Sequence, residues 1–286
     1  MIDFNKSIEV PSTFGGSEKK MAVEYENNVY MLKFPDPIRQ KKNVLSYMNN
    51  QYSESIGCRI FQSCGFDTQE TALGIYIDEK GKTKTVVGCK DFTQNGSTLH
   101  EFSKIGNAIV SSDAKFKTHI EDVHLIIDHS KLITDKEQIR DRFWDMFVVD
   151  ALIGNADRHL DNWGLLRKNN KLQFAPIYDC GSSLSATKHD GRMEELMANP
   201  TELKNEEYNT TSCYHMDGKK IRYHEIFKNP PKELQEAIKR TVPKIDMDKI
   251  HAIIDDTPEM SDVRKKYMKT AVSLRYDQIL LPAYKK

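Results

Sequence analysis

Residues 151–181, ALIGNADRHLDNWGLLRKNNKLQFAPIYDCG, restrict the possible folds of this chain more than any other stretch. Asp157 is followed five positions later by Asn162, and Asp179 precedes Cys180 and Gly181. Phosphoryl transfer from a nucleotide requires one carboxylate to orient the attacking hydroxyl, and an amide oxygen with a second carboxylate to hold a metal ion on the phosphates. The three residues supply those oxygens in the order of a kinase catalytic loop and its metal-binding Asp-x-Gly. An Asp and an Asn five apart are common by chance, so the weight falls on their setting.

That setting is favourable on both sides. Thr134 and Glu137 form a capping-box signature for the helix of ITDKEQIRDRFWDMFVVDALIG. Ile139, Phe143, Met146, Phe147 and Leu152 give it an apolar face with a period near 3.6, and Gly154 is placed to end it. After the loop, WGLL and KLQFAPIY read as two strands around Arg167-Lys168-Asn169-Asn170, a hairpin that returns Asp179 to Asp157. Between these, Arg158 is placed to pair with Asp150 or with a buried carbonyl and brace the loop, whereas Asp161 has the character of a solvated or capping residue.

Upstream the chain is strand-rich. MAVEYENNVYMLKF reads as two strands joined at Glu26-Asn27-Asn28. Its last strand holds a single lysine, Lys33, among apolar and aromatic residues, where a buried ammonium needs a partner. A nucleotide phosphate and a helix glutamate are such partners in kinases, and Glu54 is the candidate glutamate. It lies in a helical pattern over 42–64, with Val44, Tyr47, Ile56, Ile60 and Phe61 as core positions and Gly65 as its stop. Before Lys33 come Phe14, Gly15, Gly16, Ser17, Glu18 and Lys19, a glycine-containing loop able to cradle an anion with backbone N–H groups. ALGIYIDEKGKTKTVVGCKDF then reads as strand, turn, strand, and Lys90, Asp91 and Phe92 fall where the chain leaves this region.

The expected fold class is α+β: a two-lobed, protein-kinase-like architecture with a small strand-rich N-lobe over 1–93 and a mainly helical C-lobe over 94–286. The polar stretch 182–228 shows few periodic apolar positions and reads as an activation or substrate segment, or as a long surface excursion. Three helices follow from Pro231. His119, His124 and His129 share no helical face and read as solvated surface rather than a zinc site; Trp144 and Trp163 read as core.

Composition narrows partners and compartment. Across 286 residues, 42 Lys and Arg balance 42 Asp and Glu, so no global field draws the chain to nucleic acid or anionic membrane. No apolar run approaches about 18 residues, and MIDFNKSIEV lacks a signal-peptide core. Five cysteines, Cys58, Cys64, Cys89, Cys180 and Cys213, contain no CxxC pair and fit reduced thiols in a cytoplasmic protein.

Taken together, STFGGSEK, MLKF, DRHLDN and PIYDCG resemble the motifs of HipA-like serine/threonine kinases, and within them the short cell-translocating kinase type. The Asp-Arg-His order, inverted from that of ordinary protein kinases, also occurs in phosphoinositide-kinase-like loops. The resemblance implies an enzyme dependent on ATP and Mg²⁺ that phosphorylates a protein hydroxyl. In it Asp157 is the proton acceptor, Asn162 and Asp179 are Mg²⁺ ligands, and Lys33 and His159 contact phosphates. The stretch 90–92 would hold the adenine, and Ser12 or Ser17 would be an inhibitory autophosphorylation site. Full-length toxins of the family carry a further N-terminal region, whereas this sequence starts almost at the glycine-rich loop. A protein substrate and an antitoxin-like partner are the implied associations, with neither direct nucleic-acid binding nor membrane insertion expected. A lipid or small-molecule kinase, and a non-catalytic nucleotide-binding component of a toxin–antitoxin pair, remain the alternatives.

Overall fold

The computed structural model describes residues 1–11, 20–35, 49–94, 96–109, 118–168 and 171–286. The glycine-rich loop with Phe14, Gly15, Gly16, Ser17, Glu18 and Lys19, the flanking Ser12, and the helical positions Val44 and Tyr47 lie outside the described residues.

Among the described residues the first lobe is a six-stranded sheet with one α-helix on its inner face. Its strands are β1 (Ile2–Asp3), β2 (Ile8–Glu9), β3 (Lys20–Tyr25), β4 (Asn28–Lys33), β5 (Thr71–Ile77) and β6 (Thr83–Lys90), and its helix is α1 (Asn50–Ser63). They assemble in the order β1-β5-β6-β4-β3-β2. The β3–β4 turn is only Glu26-Asn27, with φ of 48° and 61°. That left-handed pair matches the twist of the strands it joins, and Asn28 already pairs with Tyr25. Alternation along β4 sends Leu32 to the outer face with Phe4, Val23, Phe34 and Val86. Lys33 therefore turns inward, paired in register with Val87 of β6. Ile56, Ile60 and Phe61 of α1 are wholly buried, and Gly65 at φ 85° follows its last turn.

The second lobe is mainly helical. It begins with β7 (Thr98–Glu101), α2 (Phe102–Asn107), α3 (Ile120–His129) and α4 (Lys136–Ile153), then β8 (Gly164–Lys168) and β9 (Lys171–Phe174). α4 runs through the middle of the core, and 12 of its 18 residues are buried. Its N-cap is Asp135, which accepts from the Gln138 amide at 2.9 Å, rather than Thr134. Two adjacent capping-type residues compete for that place, and the carboxylate has it. Gly154 ends the helix at φ 65° as its composition implied. β8 and β9 pair with Leu165 opposite Phe174, and β7 adds to the other edge of β8.

The stretch 182–228 is not a long loop. After a turn it forms α5 (Asp190–Ala198), α6 (Pro200–Tyr208), the hairpin β10 (Thr211–Met216) and β11 (Lys219–Arg222), and α7 (Tyr223–Lys228). α8 (Lys232–Thr241), α9 (Met247–Asp255) and α10 (Asp262–Arg275) complete the expected three helices. The apolar signal of α5 and α6 is thin because few of their residues, Met193, Leu196 and Leu203 with partly buried Met197, enter a small cluster with Tyr267 and Ala271 of α10. Much of their anchoring is polar: buried Glu207 receives Arg275 Nη1, Tyr267 Oη and Ser185 Oγ. His119 stacks on His215 and His124 packs edge-on against Trp144, so neither is free helix surface. Both tryptophans are core residues.

Candidate active site

Lys33 is 3% exposed at the end of β4, and its ammonium meets two carboxylates. Nζ donates to Glu54 Oε2 at 2.7 Å and to Asp179 Oδ1 at 2.8 Å. Burial alone would lower its pKa, but Asp179 and Glu54 outweigh burial and raise it well above the ordinary lysine value. The second oxygen of Glu54 accepts the Cys180 amide at 3.0 Å. Strand lysine, helix glutamate and Asp-x-Gly aspartate, separated widely in sequence, thus form one ion cluster.

The helix reaches the Asp179-Cys180-Gly181 turn at a glycine. A Cβ at Gly57 would lie 2.6 Å from Cys180 Cβ and 3.3 Å from Ser183 Oγ. Alanine usually stabilises a helix interior over glycine by about 1 kcal/mol, but here the added methyl meets an atom fixed to the backbone of that turn. Gly57→Ala is expected to lower stability by about 1–3 kcal/mol and to weaken nucleotide binding by separating Glu54 from Lys33. Urea denaturation checks the first and nucleotide titration the second; a stabilised variant with unchanged binding would rule out the close approach.

Asp157 emerges from the end of α4. Its amide donates to Asn155 Oδ1 at 3.1 Å, while Asn155 Nδ2 donates to Asp150 Oδ1 at 2.9 Å. Asn162 Nδ2 donates to the Asp157 carbonyl at 2.7 Å. The carboxylate of Asp157 has Ser182 Oγ at 3.4 Å from Oδ2 and His159 Nε2 at 3.9 Å from Oδ1. Burial pushes its pKa up; His159 opposes that rise and the charge of Asp179 adds to it. Asp179 behaves oppositely: burial would raise it, yet the Lys33 ammonium wins and holds it at about 2. Its backbone adopts φ 58°, a left-handed conformation uncommon outside glycine, of the kind concentrated at functional sites.

The donors offered to a metal are hard oxygens. The Asn162 nitrogen is engaged by the Asp157 carbonyl, so its amide oxygen is the atom a metal would use, and Lys33 takes only Oδ1 of Asp179. An amide and a carboxylate oxygen suit Mg²⁺, which takes one or two protein ligands beside phosphate and water.

Arg158 resolves a choice left open by sequence, in favour of both alternatives. It is buried with Nε 3.0 Å from Asp150 Oδ2. Nη1 donates to the Asn162 carbonyl at 2.8 Å and to the Tyr178 carbonyl, and Nη2 lies 3.3 Å from Cys180 Sγ. One guanidinium therefore joins α4, the loop and the 178–180 turn. Asp150 is visible in the sequence only as one of two alternative partners of Arg158, a carboxylate inside FVVDALI. Ser182 carried no signal beyond its nearness to Asp179.

The remaining expected positions divide. His159 is partly exposed beside Asp157, and its Nδ1 accepts the Asp161 amide at 3.2 Å. Lys90, Asp91 and Phe92 line a cavity of about 300 Å³ with Asn28, Thr68, Glu70 and Gln94. Lys90, however, has its amide on the Glu70 carbonyl at 2.9 Å and its carbonyl accepting from Gln69 Nε2 at 3.0 Å. The Asp91 amide donates to the Val29 carbonyl at 2.9 Å. The ring centre of Phe92 lies 6.0 Å from that of Tyr178 at the edge of this cavity.

Two lobes, a lysine–glutamate pair from sheet and helix, and a loop aspartate facing an Asp-x-Gly define a protein kinase. Residues 12–249 match the HipA-like C-terminal domain family. Serine/threonine-protein kinase CtkA of Helicobacter pylori is 39% identical over 287 residues, a match spanning 98% of this chain and 86% of that protein. The crystal structure of a proinflammatory H. pylori kinase CtkA superposes with a TM-score of 0.89 at 38% identity, covering 99% of this chain and 96% of that one. HipA in the Shewanella oneidensis MR-1 complex with HipB and operator DNA reaches a TM-score of 0.50 at 12% identity over 90% of this chain and 60% of its own, a likeness of fold alone. The chain belongs to the HipA-like C-terminal domain family. Among the described residues no helix is long and apolar enough to cross a membrane.

Proposed function

We propose that this kinase transfers the γ-phosphoryl group of ATP to a serine or threonine hydroxyl of a protein, with the lobe boundary near residue 93 and the nucleotide in the cleft between lobes. The observation that carries the reading is the single ammonium of Lys33 shared by Glu54 and Asp179. Glu54 orients Lys33, which contacts the phosphates together with His159 and with the backbone of Phe14, Gly15, Gly16, Ser17, Glu18 and Lys19. Lys90, Asp91 and Phe92 border the base. Asn162 and Asp179 hold Mg²⁺, which when bound neutralises charge on the phosphates. Asp157 orients the acceptor hydroxyl and takes its proton as the new O–P bond forms and ADP leaves with the bridging oxygen.

Incubation with labelled ATP and Mg²⁺, beside Asp157→Asn and Asp179→Asn, tests the assignment. Label is expected on the wild-type chain or a general protein substrate and on neither with the variants; full transfer by both variants would show that these carboxylates are not the site. Mass spectrometry of Ser12 and Ser17 after the same incubation reads the autophosphorylation that the family resemblance implies.

The two carboxylates also differ in sign with pH. Asp157 has a folded pKa raised above the ordinary aspartate value of 3.8. Folding therefore takes up a proton there, and the stability it contributes falls as pH rises through the folded pKa. Asp157→Asn is expected to be at least as stable as wild type at neutral pH, the difference closing as the pH approaches about 4. Urea midpoints at several pH values measure this, and a destabilised Asp157→Asn at neutral pH would contradict it.

A further inference from the structure

α1, the helix that carries Glu54, is enclosed on three sides. Every residue from Asn50 to Cys58 is buried. β5 and β6 cover one side and the metal motif meets Gly57, while the third side is closed by α9 and the turn that follows it. Tyr52 Oη donates to the Glu259 carbonyl at 2.5 Å, and Arg59 Nη1 donates to the Ile253 carbonyl at 3.3 Å. Glu259 sits at φ 56°, a left-handed backbone that costs a non-glycine residue energy and persists where surrounding contacts enforce it.

The same turn grips the segment beyond the metal motif. Ser261 Oγ donates to Asp190 Oδ2 at 2.6 Å. Arg264, 2% exposed, donates through Nη2 to the Lys188 carbonyl at 2.6 Å and to Asp190 Oδ1 at 3.0 Å. Six consecutive positions, 259–264, thus touch both the helix bearing Glu54 and the chain running from Asp179 into α5.

We infer that Tyr52 and Arg59 are positioning residues, through which the turn 259–264 and α9 brace α1 so that Glu54 stays on Lys33 without a partner protein or a phosphorylated segment. This rests on the reading that the Lys33–Glu54 pair serves the nucleotide phosphates. The bonds run from α1 to main-chain carbonyls of the same chain, so closure is a property of the fold.

Hydrogen exchange of amides 50–63 tests it on the full chain. Losing one hydrogen bond raises a local opening constant about fivefold. Tyr52→Phe, which keeps the ring and removes only the hydroxyl, is expected to speed exchange in α1 by about that factor. Y52F/R59A is expected to speed it by about 25-fold, with α4 amides unchanged. Unchanged α1 exchange in the double variant overturns the inference, as does equal acceleration in α4, which would mark general destabilisation. Asp157→Asn, unable to phosphorylate itself on the reading above, should protect α1 as wild type does; faster exchange there means closure needs phosphate and overturns the inference. ATP with Mg²⁺ should restore slow exchange in the double variant. If α1 opens but ATP and Mg²⁺ do not reclose it, the brace stands and the nucleotide reading of Lys33 falls.

Discussion

Asp179→Asn should leave a folded chain whose phosphoryl transfer is lower by about 10³-fold, the scale on which removing one preorganised electrostatic group acts. Asparagine preserves the size of the side chain and the left-handed backbone at φ 58°, which Asn tolerates. It removes the charge that Lys33 and a divalent ion would share. Lys33 retains Glu54 at 2.7 Å, so the ammonium is not stranded. Stability should therefore fall modestly at pH 7, by about 1 kcal/mol, since an exposed part of the carboxylate is screened. The sign is opposite to that at Asp157. Asp179 is held at about 2, below the ordinary aspartate value of 3.8, so its contribution is complete above about pH 4 and is lost as the pH falls toward 2. Wild type and Asp179→Asn should converge in urea midpoint across that window. Transfer within tenfold of wild type would remove Asp179 from the reaction; a midpoint difference that widened in acid would remove the Lys33 bond as its source.

The catalytic run was legible because its supports are local. Gly154 after an apolar period and a hairpin after the loop are short-range signals, and the turn 26–27 with its neighbouring lysine is another. The lysine was conspicuous on physical grounds, being a costly group in an apolar strand. Contacts across long separations gave no such signal. Gly57 could not announce that Cys180 would lie against it, and Arg158 offered two partners with no means to see that it takes both. The segment 182–228 misled for a different reason. α6 binds α10 through buried Glu207, which receives Arg275 and Tyr267, and only short apolar contacts accompany that bond, so the hydrophobic period of the segment is weak.

The inverted Asp-Arg-His order acquires a physical meaning in this geometry. Arg158 directly follows Asp157, yet its side chain runs into the core while that of Asp157 remains partly exposed beside His159. Adjacent residues thereby divide the work: one presents the carboxylate, the other fixes the loop that presents it. His159 returns to the surface, beside both Asp157 and Asp161.

Arg158→Met is accordingly expected to cost more stability than Gly57→Ala or Asp179→Asn. Arg158 and Asp150 are each 1% exposed, and methionine fills much of the arginine volume without its charge. Removing one partner of a buried pair costs about 3–5 kcal/mol, against a total of about 5–15 kcal/mol for a typical domain. Asp150 would keep only Asn155 Nδ2, and the carbonyls of Asn162 and Tyr178 would lose their donor. Burial already raises the Asp150 carboxyl despite Arg158, so in the variant it should take up a proton on folding. The loss should then shrink as pH is lowered from about 8 to about 5, because stability rises wherever folding binds a proton and the pH falls. D150N/R158M should recover much of the loss, since replacing both members of a buried pair is often nearly neutral. Arg158→Lys separates charge from shape: it keeps a cation near Asp150 but cannot also reach both carbonyls, so it should be more stable than Arg158→Met and still impaired in transfer. Urea denaturation across pH and the labelled-ATP assay read these quantities. A pH-independent loss in Arg158→Met, or full activity in Arg158→Lys, would mean that the guanidinium does not brace the loop.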